Sequence, residues 1–151
     1  MKLTDKEKAI TIFLTSLLIV VLDQLIKFMI LKYIPFKFSI QIIPKIFYLT
    51  HIRNYGAAFG LLQNSSQLLM WFSIIVIGVI LYLFDEIPKE KYVQIFAALI
   101  LGGTSGNLID RLRFGYVIDF LDFQIWPAFN LADSAITIGV IGLIIYLIKK
   151  K

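Results

Sequence analysis

Long apolar stretches alternate with short charged ones along this chain. Four stretches contain no Asp, Glu, Lys or Arg, and they cover residues 9–22, 55–84, 92–109 and 134–148. Apolar stretches of this length cross a bilayer as α-helices. The pattern predicts an all-α membrane protein with a bundle of four spanning helices, over residues 9–33, 68–84, 92–112 and 132–148.

Lysines lie mainly on one side of these predicted spans. They occupy the start of the chain, the second connection and the end, namely Lys2, Lys6, Lys8, Lys89, Lys91, Lys149, Lys150 and Lys151. The other side carries Lys37, Lys45, Arg53 and Arg113. By the positive-inside rule, the lysine-rich side and both chain termini face the cytoplasm. This distribution explains the net charge of +5 better than nucleic-acid binding does.

An apolar run near the start of a chain can also be a cleaved signal peptide. Residues 9–33 exceed the usual apolar core of about 7 to 15 residues, contain Asp23 and Lys27, and precede no small-residue cleavage pattern. We therefore expect a permanent helix. No repeat, low-complexity segment or long linker divides the chain, so residues 1–151 are predicted to form a single membrane domain.

Residues 34–67, between the first two spans, follow a different pattern. Apolar and polar side chains alternate over residues 36–42, and residues 46–52 are rich in aromatic and β-branched side chains. Two short strands with a turn near Pro44 fit this pattern. On the outer face, such an extracytoplasmic β element would lie against lipid headgroups or cover a site, because an open sheet edge cannot face hydrocarbon.

The composition excludes several kinds of active site. Without cysteine, the chain has no disulfide, no thiolate metal ligand and no cysteine nucleophile. His51 is the only histidine, which is too few for a typical histidine-built zinc site, and Ser-His-Asp chemistry would have to use it. We expect His51 at a surface or interface and predict no metal site.

Asp23 and Lys27 stand four residues apart in the first span. Ionisable groups at membrane depth are costly, so they persist when they are paired or used. This spacing predicts an ion pair on one helix face that ties the first helix to the bundle.

Polar residues also end the third span. Asn107, Asp110 and Arg111 follow Gly102 and Gly106, a small-xxx-small pair that permits close helix packing. This group either orders the helix end as a buried polar cluster or binds substrate. Residues 53–60 combine one amide side chain with four small residues, which suits either a binding edge or a tight turn.

Asp119 and Asp133 are the two carboxyl groups best suited to acid–base catalysis. Asp119 lies among apolar residues, which raise a carboxyl pKa, whereas Asp133 opens the fourth span, where the helix N-terminus favours a charge. Carboxyls in unequal surroundings can divide the roles of acid and base. Structural explanations remain open, because Asn130 and Asp133 have the spacing of a helix cap, and Asp119, like Asp122, can be a solvated loop acid.

Five blocks, in order and across nearly the whole chain, closely resemble the lipoprotein signal peptidases, bacterial signal peptidase II. They are DQLIK at 23–27, NYGAAFG at 54–60, GNLIDR at 106–111, GYVIDF at 115–120 and FNLADS at 129–134. The resemblance implies a membrane aspartic endopeptidase that removes the signal peptide from prolipoproteins, cutting before the diacylglyceryl-modified cysteine. It also implies four transmembrane helices, a small extracytoplasmic β element and a short helix on the same side.

The resemblance assigns roles to individual residues. It places the catalytic pair on Asp119 and Asp133, and makes Asp23 and Lys27 part of the scaffold. The substrate site would use Asn54, Gly56, Asn107, Asp110, Arg111, Asn130 and Ala132. The expected partners are lipidated prolipoproteins and membrane lipid, with no cofactor and no nucleic acid. We expect a monomer in the bacterial cytoplasmic membrane, with its active site at the extracytoplasmic face.

A small ion-coupled transporter is the main alternative. Asp23, Lys27, Asp110 and Arg111 would then form a proton or substrate pathway between helices. The transporter hypothesis predicts charges near the bilayer midplane and an internal repeat. These charges instead cluster at one face, and no repeat is evident. A purely structural membrane subunit accounts poorly for two separated aspartates in apolar settings.

Overall fold

A computed structural model describes residues 4–56 and 65–150 of the chain. In these residues four helices and one three-stranded sheet form. In chain order the elements are α1 (Asp5–Tyr33), β1 (Ser39–Ile43), β2 (Phe47–Asn54), α2 (Ser66–Tyr82), α3 (Lys91–Phe114), β3 (Val117–Asp122) and α4 (Leu131–Lys150).

Three of these helices, α1, α3 and α4, are long and apolar enough to cross a membrane. They match three of the four predicted spans. Helix α2 is apolar but has 17 residues, fewer than the roughly 20 that a typical bilayer requires. Helix α1 begins earlier than predicted, because Thr4 and Glu7 form a capping box that satisfies its first backbone amides.

Helix α3 lies at the centre of the bundle, and each of the other three helices packs against it. The predicted close packing at Gly102 is confirmed, since a methyl group there would lie 2.7 Å from the backbone oxygen of Ser16 in α1. A methyl group on Gly103 would clash with the backbone oxygen of Ala132 in α4. Within the described residues α2 packs against α3 and not against α4, which leaves a cleft between α2 and α4.

The sheet has the order β1-β2-β3, and all of its strands are antiparallel. The hairpin of β1 and β2 confirms the two predicted strands. The third strand was not predicted, because its four buried residues, 117–120, show no alternation of apolar and polar positions. Gly115 ends α3 in the left-handed conformation, with φ 76°, and turns the chain into β3. The short helix implied by the resemblance is not found in the described residues.

The sheet covers one end of the bundle. Ile30 of α1 and Ile34, which caps the helix, pack against Ile118 and Phe120 of β3 in a small apolar core. His51, expected at a surface or interface, is not at the surface, because its side chain is buried with Nδ1 2.9 Å from the backbone oxygen of Ile34. The bulge in β2 between Leu49 and Ile52 explains this burial, since it breaks the strict alternation of the strand.

The opposite end of the bundle carries the start of α1, the α2–α3 connection and the end of α4. Lys89 forms an ion pair of 2.7 Å with Asp5 there, and the rings of Tyr92 and Tyr146 lie 5.8 Å apart. The aspartates singled out in the sequence therefore lie at the end away from both termini of the described chain.

Candidate active site

Asp119 lies in the middle of β3, only 2% exposed. Its Oδ2 accepts a hydrogen bond of 2.8 Å from Nδ2 of Asn54, at the end of β2. Its Oδ1 accepts a second bond of 2.8 Å from Nδ2 of Asn130. It is therefore not a solvated loop acid, because the unpredicted strand carries it into the protein interior.

Asp133 lies in the first turn of α4 and forms the predicted helix cap with Asn130. Its backbone N–H donates to Oδ1 of Asn130 at 2.8 Å, and its Oδ2 accepts from the Asn130 backbone N–H at 3.2 Å. Its Oδ1 accepts a third bond, of 2.7 Å, from Nδ2 of Asn107 in α3. The capping role and a place in the polar cluster are thus combined in one residue.

Asn130 connects the two carboxyl groups, since its side-chain amide donates to the Asp119 carboxyl and its backbone N–H donates to the Asp133 carboxyl. Burial raises the pKa of Asp119 to about 7, the nearby charge of Asp133 contributes to the rise, and the amides of Asn54 and Asn130 oppose it. Asp119 is therefore able to hold a proton near neutral pH. A neighbouring pair of carboxyls that shares one proton can supply an acid and a base together.

A cavity of about 760 Å³ opens beside these residues. Its polar end is lined by four predicted substrate-site residues and one aspartate, Asn54, Gly56, Asn107, Arg111 and Asp133. Apolar side chains of α2, α3 and α4 line the rest, among them Phe72, Val76, Ile100 and Ile136. The cavity thus joins a polar pocket to the apolar cleft between α2 and α4, an arrangement that suits a peptide with one apolar segment.

Asn54 and Arg111 shape the polar end of the cavity. Oδ1 of Asn54 accepts a bond of 2.9 Å from the backbone N–H of Gly56, which orients the Asn54 amide toward Asp119. The buried Nε of Arg111 has no hydrogen-bond partner in the described residues, so the guanidinium can donate a hydrogen bond from this atom to a ligand. Residues 57–60 of the second sequence block lie outside the described residues.

Asp110 and Ala132 are buried and do not line the cavity, so their roles in the substrate site stay predictions. Asp110 accepts bonds from Nε2 of Gln24 and from the backbone N–H of Ile118, at 2.9 and 3.1 Å. The backbone N–H of Ala132 donates to Asp23 at 3.1 Å. Both residues connect secondary-structure elements behind the site because their polar groups point into the bundle.

Asp23 and Lys27 form an ion pair of 2.8 Å, and Lys27 forms another of 2.8 Å with Asp110. The pair thus ties α1 to α3. Gln24 belongs to the same buried cluster and was missed. Its signals were its place in the first sequence block and its uncharged polar side chain beside Asp23 in an apolar helix. Trp126 and Phe129 also line the cavity. Phe129 opens the fifth sequence block, whereas Trp126 carried no sequence signal.

A family model described as "Signal peptidase (SPase) II" matches residues 15–149. This chain belongs to the signal peptidase II family. A lipoprotein signal peptidase of Halothermothrix orenii is 43% identical over 136 residues, which cover 90% of this chain and 94% of the relative. One of Moorella thermoacetica is 48% identical over 129 residues, which cover 85% of this chain and 86% of the relative.

The fold of this signal peptidase II family member is similar to two solved structures, each described as a bacterial membrane enzyme structure by the in meso method. The first has a TM-score of 0.86 and 35% identity, and covers 92% of this chain and 88% of that one. The second has a TM-score of 0.84 and 35% identity, with 93% and 94% covered. The transporter alternative is not supported by these matches.

Proposed function

We propose that this chain removes signal peptides from prolipoproteins as an aspartic peptidase and cuts before a diacylglyceryl-modified cysteine. The names of the relatives support the substrate class. The observation that carries the catalytic class is a pair of carboxyl groups, buried Asp119 and half-buried Asp133, bridged by Asn130 beside the cavity. Asn130 does not line the cavity, so in this proposal it orients the two aspartates from the interior side of the cavity wall.

In this mechanism Asp133 is the base and Asp119 the acid. Asp133 takes a proton from a water molecule whose oxygen attacks the scissile carbonyl carbon, while Asp119 donates its proton to the carbonyl oxygen. The tetrahedral intermediate collapses when the C–N bond breaks. The nitrogen leaves with the proton from Asp133, and a hydroxyl group of the intermediate returns a proton to Asp119, which restores both aspartates. The raised pKa of Asp119 keeps it protonated below about pH 7, as the acid must be. No metal or organic cofactor takes part.

Side chains on the cavity wall bind the substrate backbone in this proposal. Arg111, Asn54 and Asn107 line the polar end, where they can donate hydrogen bonds to peptide carbonyls and stabilise negative charge on the intermediate. Gly56 leaves room for the extended chain to approach the protein backbone.

The cleft between α2 and α4 gives the substrate an entry from lipid. We propose that the signal peptide lies there as an apolar helix, while the diacylglyceryl tail stays in the bilayer and the scissile bond reaches the polar end. This arrangement needs α2 as a fourth span. Its 17 residues extend about 26 Å, and Leu83 and Phe84 continue its apolar surface toward the full membrane thickness.

The proposed enzyme is a monomer in the bacterial cytoplasmic membrane, with both termini in the cytoplasm and the active site at the outer face. Lysines near both ends of the described chain support this orientation. The position of the site at one end of the bundle supports access from the headgroup region, where water is available.

The test is cleavage of a lipidated prolipoprotein by purified protein in detergent. The Asp119→Asn and Asp133→Asn variants should each fail to cleave the precursor. Both should still show the thermal melting of a folded protein. Asp122→Asn is the matched control, because it makes the same change three residues along β3 and should retain activity. A precursor without the lipid should be cut poorly. Cleavage by both active-site variants, measured by mass spectrometry, would contradict the aspartic mechanism.

A further inference from the structure

Lys27 is buried in the bundle, 1% exposed, and contacts neither Asp119 nor Asp133 directly. Its ammonium group has three acceptors. They are Oδ2 of Asp23 at 2.8 Å, Oδ2 of Asp110 at 2.8 Å and Oδ1 of Asn107 at 3.1 Å. The two carboxylates account for an ion pair that ties α1 to α3. The third contact, to an uncharged amide, is not needed for that purpose.

The contact with Lys27 decides the orientation of the Asn107 amide. An ammonium group only donates hydrogen bonds and a carboxylate only accepts them. Asn107 lies between the Lys27 ammonium and the Asp133 carboxylate. Its Oδ1 accepts from Lys27, and its Nδ2 donates to Asp133 at 2.7 Å. If the amide rotated by half a turn, its NH₂ would face the ammonium and its oxygen would face the carboxylate. Lys27 therefore keeps the N–H donor of Asn107 pointed at Asp133.

The orientation of Asn107 in turn orients Asn130. Oδ1 of Asn107 accepts a second bond, of 3.1 Å, from Nδ2 of Asn130. The same Nδ2 donates to Asp119 at 2.8 Å, and Oδ1 of Asn130 accepts from the backbone N–H of Asp133. A continuous chain of hydrogen bonds thus runs from the Lys27 ammonium through two amides to both aspartates.

We propose that Lys27 is a positioning residue that acts through Asn107 to direct amide donors at Asp119 and Asp133. The inference rests on the catalytic pair proposed above. Without the lysine, Asn107 has no cation to hold its oxygen, so its amide samples both orientations. One of these orientations places an oxygen against the Asp133 carboxylate. Turnover falls more than substrate binding does, because Asn107 is only one of the side chains that bind the substrate, whereas donors to both aspartates are disturbed.

A double-mutant cycle on kcat separates this positioning role from an effect of the Lys27 electric field and from an effect of Lys27 on folding. Lys27→Met and Asn107→Ala are each expected to lower kcat roughly ten- to one-hundred-fold, the usual cost of a hydrogen bond to a charged group. Lys27→Met should raise KM much less than it lowers kcat. In the Asn107→Ala background, Lys27→Met should lower kcat little further, because the contact through which it acts is already gone.

Lys27→Met leaves two buried carboxylates without their cation, which destabilises the fold unless one of them is neutralised. Asp23→Asn with Lys27→Met keeps the net charge of the buried group and should show the same loss of kcat and the same cycle. Asp23→Asn alone is the matched control. It removes an ion-pair partner of Lys27 but no contact with Asn107, so its kcat should stay near wild type. Melting in detergent verifies folding of each variant.

The outcomes are distinct. If removing Lys27 costs the same factor in both Asn107 backgrounds, Lys27 acts through its field or through folding, and the positioning role is wrong. A loss of kcat in Asp23→Asn as large as in Lys27→Met would also overturn it. If the wild-type protein does not cut lipidated precursor, or if both aspartate variants do, the proposed function itself is wrong.

Discussion

At the scale of single residues, asparagine amides determine the character of this site. Asn54, Asn107 and Asn130 each donate to one of the two aspartates, and no Lys or Arg forms an ion pair with either aspartate in the described residues. An amide donor stabilises a carboxylate less than an ion pair does. Burial therefore dominates the pKa of Asp119 and leaves it able to keep a proton near neutral pH.

Replacing Asn54 by alanine should shift the pH dependence of the enzyme. In the wild type, kcat/KM should fall on the alkaline side near pH 7, because Asp119 loses its proton there and the acid is gone. The Asn54 amide lowers the pKa of Asp119, so its removal raises that pKa and moves the alkaline limb to higher pH.

The measurement is kcat/KM on lipidated precursor across pH. Gln41→Ala is the control, because it removes an exposed amide of the same sheet that bonds only to Tyr48 among the described residues. An alkaline limb that stays in place in Asn54→Ala, or moves down, would contradict the assignment of Asp119 as the acid.

At the scale of elements, close helix packing positions the catalytic groups. Gly102, Gly103 and Gly106 of α3 allow α1 and α4 to approach its backbone, and Gly106 leaves space for the Asp23 carboxylate. The start of α4 is thereby held against α3, so that Asn107 reaches Asp133 at 2.7 Å. Strand β3 completes the site, because pairing with β2 brings Asp119 beside Asn54.

Replacing Gly103 by alanine should separate α3 from α4. The added methyl group would clash with the backbone oxygen of Ala132 and lie 2.8 Å from the Ile136 side chain. The helix backbone of α4 would have to shift to relieve the clash, and such a shift is energetically costly. We expect a loss of stability of about 1–3 kcal/mol, with a lower melting temperature in detergent. Activity should fall as well, because Asp133 follows Ala132 directly.

The control for this change is Gly78→Ala in α2, where a methyl group would meet nothing within 4 Å. It should melt at or slightly above the wild-type temperature, since alanine favours helix over glycine. Equal melting of the Gly103→Ala and wild-type proteins would show that α3 and α4 are not packed this closely.

At the scale of the whole molecule, polarity is distributed between two ends. The polar site and the sheet occupy one end, while the start of α1, the α2–α3 connection and the end of α4 occupy the other. The helices between them expose large apolar side chains such as Phe13, Phe28 and Trp71, as lipid-facing surfaces do.

The proposed orientation can be measured with single cysteines, because the natural chain contains none. Ile46→Cys lies exposed in the β1–β2 hairpin, and Lys149→Cys lies near the end of α4. In intact spheroplasts a membrane-impermeant maleimide should label Ile46→Cys and spare Lys149→Cys. Labelling after lysis should reach both. The reverse pattern in intact spheroplasts would place the active site in the cytoplasm.

Much of this architecture was predictable because it depends on composition along the chain. Charge-free stretches predicted the helices, and alternation over residues 36–42 predicted the hairpin. The spacing of Asn130 and Asp133 predicted the helix cap, which the structure contains. Strand β3 and the burial of His51 were missed, since both depend on pairing and a bulge in β2 rather than on a local pattern.

The sequence by itself determined the apolar helices, the candidate aspartates and the family, since these depend on residue type and spacing. Only the tertiary structure decided which polar residues meet. Asp119, Asn107 and Asp133 come from β3, α3 and α4, and no periodicity encodes contacts between distant elements. It also placed Asp110 and Ala132 behind the cavity, because a side chain's direction follows from the packing of its helix against neighbours.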